Sequence, residues 1–253
     1  MTEKDASHSN AFTDLDEFMT QALDKGQVMG SWGFSSNIDF SRMSVEENNV
    51  WFFEQTFNFL RAFFGLVMPD SLEIITYNAT QQVNRERLDQ MTFLDELMLI
   101  MKNIKEPIWS LRLNLSLVGF IRDDWNPDNP VRVRIQEPAH FICWGGPDES
   151  GFQSFSISFQ LFSAHELKGQ GVALWSVNQP LLEKSLAKWE AQTGKTIDVV
   201  QGNSPDLSLS RNGFASPAPA RPRGAAARRP SPARVIDDTP ADDWIPDLED
   251  LSG

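Results

Sequence analysis

The chain has 253 residues, 41% of them hydrophobic and 11% aromatic, which is enough to fill one core of ordinary size with extensions to spare. Its net charge of −13 is unevenly spread: residues 203–235 carry a balance of +5 from six arginines and one aspartate, residues 236–253 carry −7 with no base, and residues 1–202 hold the remaining −11. An acidic body argues against nonspecific binding to phosphate backbones or anionic lipid except through a local basic patch. The single Cys143 excludes an internal disulfide and suits a reducing, cytoplasmic setting, and the acidic, polar first residues do not read as a secretory signal.

Residues 1–39 read as a flexible N-terminal region holding one short helix. Thr13 precedes acidic first-turn residues, and Leu15, Phe18, Met19 and Leu23 make an apolar side. Gly26 to Asn37, with Gly30 and Gly33 around Trp32, reads as a loop.

Glu46 to Val67 is the most apolar stretch. Val50, Phe53, Phe57, Leu60 and Phe64 follow helical spacing, while Trp51, Phe52, Phe59 and Phe63 widen the stripe. Its length approaches that of a membrane span, but Glu54, Gln55, Asn58 and Arg61 interrupt it, and each charge at the bilayer centre costs about 2.5–3.5 kcal/mol. A buried or partner-facing helix with no transmembrane span is expected. Because it is apolar over more of its circumference than one sheet face needs, self-association into a homo-oligomer is assigned to it, through Phe52 and Phe59.

Leu72 to Tyr77 reads as a strand. Asn84 to Lys105 reads as a helix covering the sheet, with Leu88, Met91, Leu94, Met98 and Met101 on one stripe and the methionines as core filler. Ile108-Trp-Ser-Leu-Arg-Leu-Asn-Leu-Ser-Leu117 alternates at period 2, placing Trp109 with Leu111, Leu113, Leu115 and Leu117 on one side. Val131 to Ile135, Ala139 to Trp144 and Ser154 to Leu161 repeat the pattern, with Phe155, Ile157, Phe159 and Leu161 together. One apolar and one polar face is the signature of an antiparallel sheet covered on a single side. Between these strands, residues 122–130 are turn chemistry; Trp125 in that polar loop either folds back or receives a partner. Val172 to Val177 reads as a last strand, Asn178 as the cap of a helix from Pro180 to Thr193, and Thr196 to Val200 as the close of the domain.

The fold class that follows is α+β: one domain over 40–202, mainly an antiparallel sheet covered on one face by helices. From Asn203 the composition turns to Ala, Pro, Arg, Ser and Gly without apolar periodicity, so 203–235 reads as a disordered linker. The acidic segment 236–253 sets Trp244, Ile245, Leu248 and Leu251 among carboxylates, the pattern of a peptide that docks into a basic, apolar groove on a protein partner.

No catalytic or cofactor motif is present: there is no P-loop, HExxH, serine elbow or dinucleotide fingerprint. His140 and Cys143 lie three apart on one strand and so face opposite sides, which prevents a local dyad or shared metal. Asp123, Asp124 and Asp128 are turn residues. A non-enzyme without cofactor or metal is expected.

In their order, Ile108 to Gly119, Val131 to Ile135 running on to Phe141-Ile-Cys-Trp144, Gly151 to Phe162, Leu167-Lys-Gly169 and Leu174 to Asn178 ahead of a helix ending near Trp189 resemble the matrix proteins of rhabdoviruses, over residues 72–200. The resemblance implies a viral structural protein of virion assembly that self-associates and bridges nucleocapsid to the inner membrane surface. The chain departs from that pattern in placing its Pro-rich segment after the folded body, and in having only Tyr77 where such proteins often carry Pro-Pro-x-Tyr. Two other classes stay open: a cellular adaptor that recruits a partner through its acidic Trp/Leu peptide, and a single-stranded nucleic-acid-binding protein with an acidic tip, which requires a basic groove.

Overall fold

The leucine alternation at 111–117 becomes the covered side of an inner strand in an eight-stranded sheet. The computed structural model describes residues 13–14, 29–79, 81–86, 88, 92–122, 130–146, 150–158, 160–162, 171–202 and 208–215, with main chain alone at 13–14, 122, 137, 160 and 171–174. The elements are β1 (Thr13–Asp14), β2 (Gly30–Ser36), α1 (Val45–Ala62), β3 (Val67–Thr76), β4 (Gln82–Glu86), α2 (Phe93–Asn103), β5 (Ile108–Arg122), β6 (Pro130–Trp144), β7 (Gly151–Ile157), α3 (Gly171–Thr193), β8 (Val199–Gln201) and the hairpin β9 (Leu209–Ser210) with β10 (Gly213–Phe214).

The strand order is β4-β3-β5-β6-β7-β2-β8, antiparallel at every step, and β1 adds a short parallel pairing to β6. The chain is therefore α+β with a mainly antiparallel sheet. Helices α1 and α3 lie across one face, and α2 packs beside α1. The covered face contributes Trp32, Phe34, Leu72, Ile74, Leu111, Leu113, Leu115, Phe141, Cys143, Phe155 and Ile157, all at most 2% exposed.

Aromatic rings fill the space between helices and sheet. Phe59 stacks on Phe141 at 4.2 Å and on Phe63 at 4.6 Å, and Trp189 of α3 meets Phe34 edge-on at 4.6 Å. Each fully buried ring contributes about 1.5–3 kcal/mol by leaving water, with about 0.5–1.5 kcal/mol more for a well-placed aromatic pair. The start of α1 is fixed by a capping box: Glu47 N donates to Ser44 Oγ at 3.2 Å, and Ser44 N donates to Glu47 Oε2 at 2.8 Å. These bonds to Ser44 hold the Glu47 carboxyl below the usual carboxylate range.

Several boundaries differ from the sequence reading. Gly26 to Asn37 is no loop from residue 30 onward, because β2 is built into the sheet between β7 and β8 with Trp32 and Phe34 buried. Gly33 is there for close approach: a Cβ would lie 2.6 Å from Gln153 O and 3.1 Å from Phe152 Cζ. Residues 84–105 divide into β4 and the shorter α2, and it is α1 and α3 that cover the sheet. The stretches 131–135 and 139–144 are one strand, β6.

Val172 to Val177 is helical, and Pro180 lies inside α3 instead of opening it. Asn178 caps nothing. Its Oδ1 accepts from Phe120 N and its Nδ2 donates to Phe120 O, both at 2.7 Å, which ties α3 to β5.

The folded body also exceeds 40–202 at both ends. Beyond β2, the β9–β10 hairpin is anchored by Trp32 Nε1 donating to Ser210 O at 2.8 Å, Gln179 Nε2 donating to Asn212 O at 2.8 Å, and Phe214 buried against Trp32. The contact pattern places residues 1–217 in one unit and 218–253 in another. The second unit lies wholly outside the described residues, and so does the helix expected over Asp14 to Leu23 except for Asp14 itself, which belongs to β1.

Candidate interaction surfaces

Helix α1 presents aromatic rings on both sides, and the fold settles which side is core. Trp51, Phe52, Phe59, Ala62 and Phe63 are buried, together with Asn48, Asn49 and Thr56. Phe52 and Phe59 are 0% exposed, so their assignment to self-association is corrected: they hold the helix on the sheet and offer no surface. The other stripe faces outward. Val50 is 48% exposed, Phe53, Phe57 and Leu60 are half-buried, and Phe64 just past the helix is 88% exposed.

Polar bonds lock this orientation. Ile108 N donates to Asn48 Oδ1 at 2.7 Å, Asn48 Nδ2 donates to Ile108 O at 3.2 Å, and Asn49 Nδ2 donates to Ile104 O at 3.4 Å. The Asn48 amide, bonded through both its oxygen and its nitrogen, cannot be rotated into solvent without stranding the main-chain groups of Ile108.

Beside the outward stripe, α1 and α2 enclose a groove of about 480 Å³. Val45, Val50 and Phe53 form one wall, and Met98, Met101 and Ile104 the other. Glu46 stands on the α1 side, and Lys102 and Lys105 on the α2 side; among the described residues neither lysine is paired with Glu46. Leu94, Met98 and Leu99 continue the apolar surface along α2 at 37%, 41% and 62% exposure. The two walls are apolar and deformable, since methionine side chains repack around different partners.

The uncovered face of the sheet is the second surface. Trp109 is not aligned with the leucines: Ile75 pairs with Ser110 and Thr76 with Ile108, so Trp109 is the extra residue of a bulge and is 39% exposed. Tyr77, at 43% exposure, and Trp109 stand on either side of Gly146, where a Cβ would lie 3.2 Å from each ring. Trp144 and Phe152 pair across β6 and β7 with ring centroids 4.4 Å apart.

Arg112 is exposed on the same face, oriented by its Nε donating to Asn114 Oδ1 at 3.1 Å. Arg134 bonds Asp70 Oδ1 at 2.6 Å and Ser116 Oγ at 3.0 Å. Burial, then the neighbouring Arg112 charge, lowers the His140 pKa to about 4.

His140 and Cys143 do face opposite sides, as their spacing requires. Cys143 is fully buried among apolar groups, which pushes its thiol pKa well above the usual value and suppresses the nucleophilic thiolate. No group of three metal-ligating side chains occurs among the described residues, and none of the described helices is long and apolar enough to cross a membrane. Trp125, Asp123, Asp124, Asp128, His165, Trp244, Ile245, Leu248 and Leu251 lie outside the described residues.

The geometry defines an α+β body with an apolar helical groove and an aromatic sheet face. No family model, no curated protein and no solved structure matches the chain.

Proposed function

We propose that this protein is a non-enzymatic assembly protein that binds a second copy of itself through the outward face of α1 and α2. The observation that carries the reading is the exposed groove wall of Val50, Phe53 and Met98, apolar where a freely soluble helix pair would be polar. A second copy is favoured because the rim is self-complementary. In a two-fold contact, Glu46 of one copy meets Lys102 and Lys105 of the other, and the same pairing recurs by symmetry.

The acidic peptide at 236–253 gives the assembly its second contact, through Trp244, Ile245, Leu248 and Leu251 docking into a basic groove on a different protein. Bridging of this kind is what the likeness to rhabdovirus matrix proteins implies, and it serves a cellular adaptor equally well.

Sedimentation velocity over a concentration series tests the reading. Val50→Ser together with Met98→Ser should weaken the oligomer while stability stays within about 0.5 kcal/mol, as expected for exposed positions. Unchanged association in that variant would remove this face from the interface.

A further inference from the structure

The open face of the sheet, away from the helices, is aromatic at one end and electrically neutral along the rest. Arg112, Arg132 and Arg134 are matched there by Asp70, Glu73 and Glu86, with Arg134 bonded to Asp70 at 2.6 Å and Arg112 opposite Glu73. Charge on this face therefore selects no polyanion, and the rings are what remains to select a partner. Tyr77 and Trp109 stand on either side of Gly146, close enough that a Cβ there would lie 3.2 Å from each. The bulge at Trp109 turns that ring out of the leucine row and supplies one wall of the slot. Trp144, paired with Phe152 on the next strand, precedes Gly146 by only two residues, at most about 7 Å of chain. Two aromatic pairs thus fall within one turn of a polyproline II helix, about 9 Å.

Aromatic slots at this spacing suit proline: its ring is apolar, its main chain is extended before it binds, and it leaves no N–H to be satisfied. This chain carries such a sequence. Residues 216–234 hold five prolines and five arginines with no acid, and Pro219 and Pro222 lie three apart, one turn of that helix. Their charge of +5 opposes the −11 of residues 1–202. Next to Tyr77, Thr76 donates to Glu106 Oε2 at 3.1 Å, which brings a carboxylate to the same end of the sheet. We propose that the aromatic end of the open face binds the Pro/Arg-rich segment 216–234 of a second copy. One proline of the Pro219–Pro222 pair enters the slot between Tyr77 and Trp109, and the other rests on Trp144 and Phe152. This contact uses no residue of the α1–α2 face, so it does not depend on the association proposed for that face.

The test is fluorescence anisotropy of a labelled peptide of residues 216–234 at about 0.15 M salt, where exposed charges are screened. It is titrated with the full chain carrying Pro217→Ala, Pro219→Ala, Pro222→Ala, Pro230→Ala and Pro232→Ala, so that the chain's own segment does not compete. Saturable binding is expected, weakened at least about fivefold by adding Tyr77→Ala or Trp109→Ala, the level at which an interface residue stands out. Both positions are exposed, and an unchanged thermal midpoint in Tyr77→Ala provides a folded control. A peptide with alanine at the same five prolines keeps every arginine and should bind at least about tenfold more weakly, having lost its ring contacts and its preorganisation. Val50→Ser with Met98→Ser should bind the peptide unchanged, which keeps this result separate from that of the helical face.

Absence of saturable binding would overturn the proposal. Equal binding of the proline-free peptide would reduce the contact to charge and overturn it as well. So would binding undiminished in both ring variants, or binding lost through Val50→Ser with Met98→Ser instead.

Discussion

Asn48 on α1 replaces a strand neighbour for Ile108 on β5: its amide both accepts from Ile108 N at 2.7 Å and donates to Ile108 O at 3.2 Å. Asn178 on α3 does the same for Phe120 toward the other end of that strand. The two helices are therefore fixed by directional bonds at both ends of β5, while the aromatic packing between them is nondirectional. Asn48→Ala strands a buried N–H and a buried C=O at once. It should cost about 2–4 kcal/mol in urea denaturation, and a change below about 0.5 kcal/mol would mean that the clamp adds nothing to packing.

Gly119 lies where α3 and the short turn before it press closest on the sheet. A Cβ there would run into Leu161 Cδ2 and lie 2.8 Å from Asn178 Oδ1, the oxygen that holds Phe120. Gly119→Ala should destabilise by about 1–3 kcal/mol through overpacking, read as a fall in the urea midpoint without a change in slope.

His140 sets a pH dependence whose sign follows from its lowered pKa of about 4. The unfolded chain takes up a proton near pH 6.5, and the folded chain resists until about pH 4. Stability from this group is complete above 6.5, falls as pH drops through that window, and changes no further below it. At most about 3 kcal/mol is involved. His140→Gln should remove this slope, so that the wild-type-minus-variant stability difference falls as pH drops from 6.5 to 4; a difference that stays constant with pH would show that His140 titrates normally.

The alternation of 111–117 and the pairing of Phe155 with Ile157 were legible because a sheet covered on one side imposes period 2 on sequence. The outward side of α1 was harder to read because both of its stripes are aromatic. The discriminating signal is polar: Glu46, Glu54 and Arg61 fall among Val50, Phe57 and Phe64 at helical spacing, so that stripe faces water, while Asn48 and Thr56 are buried with their bonds made inside. Trp109 could not be placed from period 2, since a bulge shifts register without any mark in the local pattern. The hairpin at 209–214 looked like linker, because its burial rests on Trp32 and Gln179, 178 and 33 residues away along the chain.

The central claim is that two copies meet through the α1–α2 face with Glu46 set against Lys102 and Lys105. Sedimentation velocity of two charge-reversed chains, Glu46→Lys and Lys102→Glu with Lys105→Glu, tests it most directly. Each alone places like charges at both symmetric rims and should associate more weakly than the natural chain, whereas an equal mixture restores both pairings and should recover the oligomer. A natural chain that stays monomeric at every concentration, or a mixture no more associated than its parts, would contradict the account.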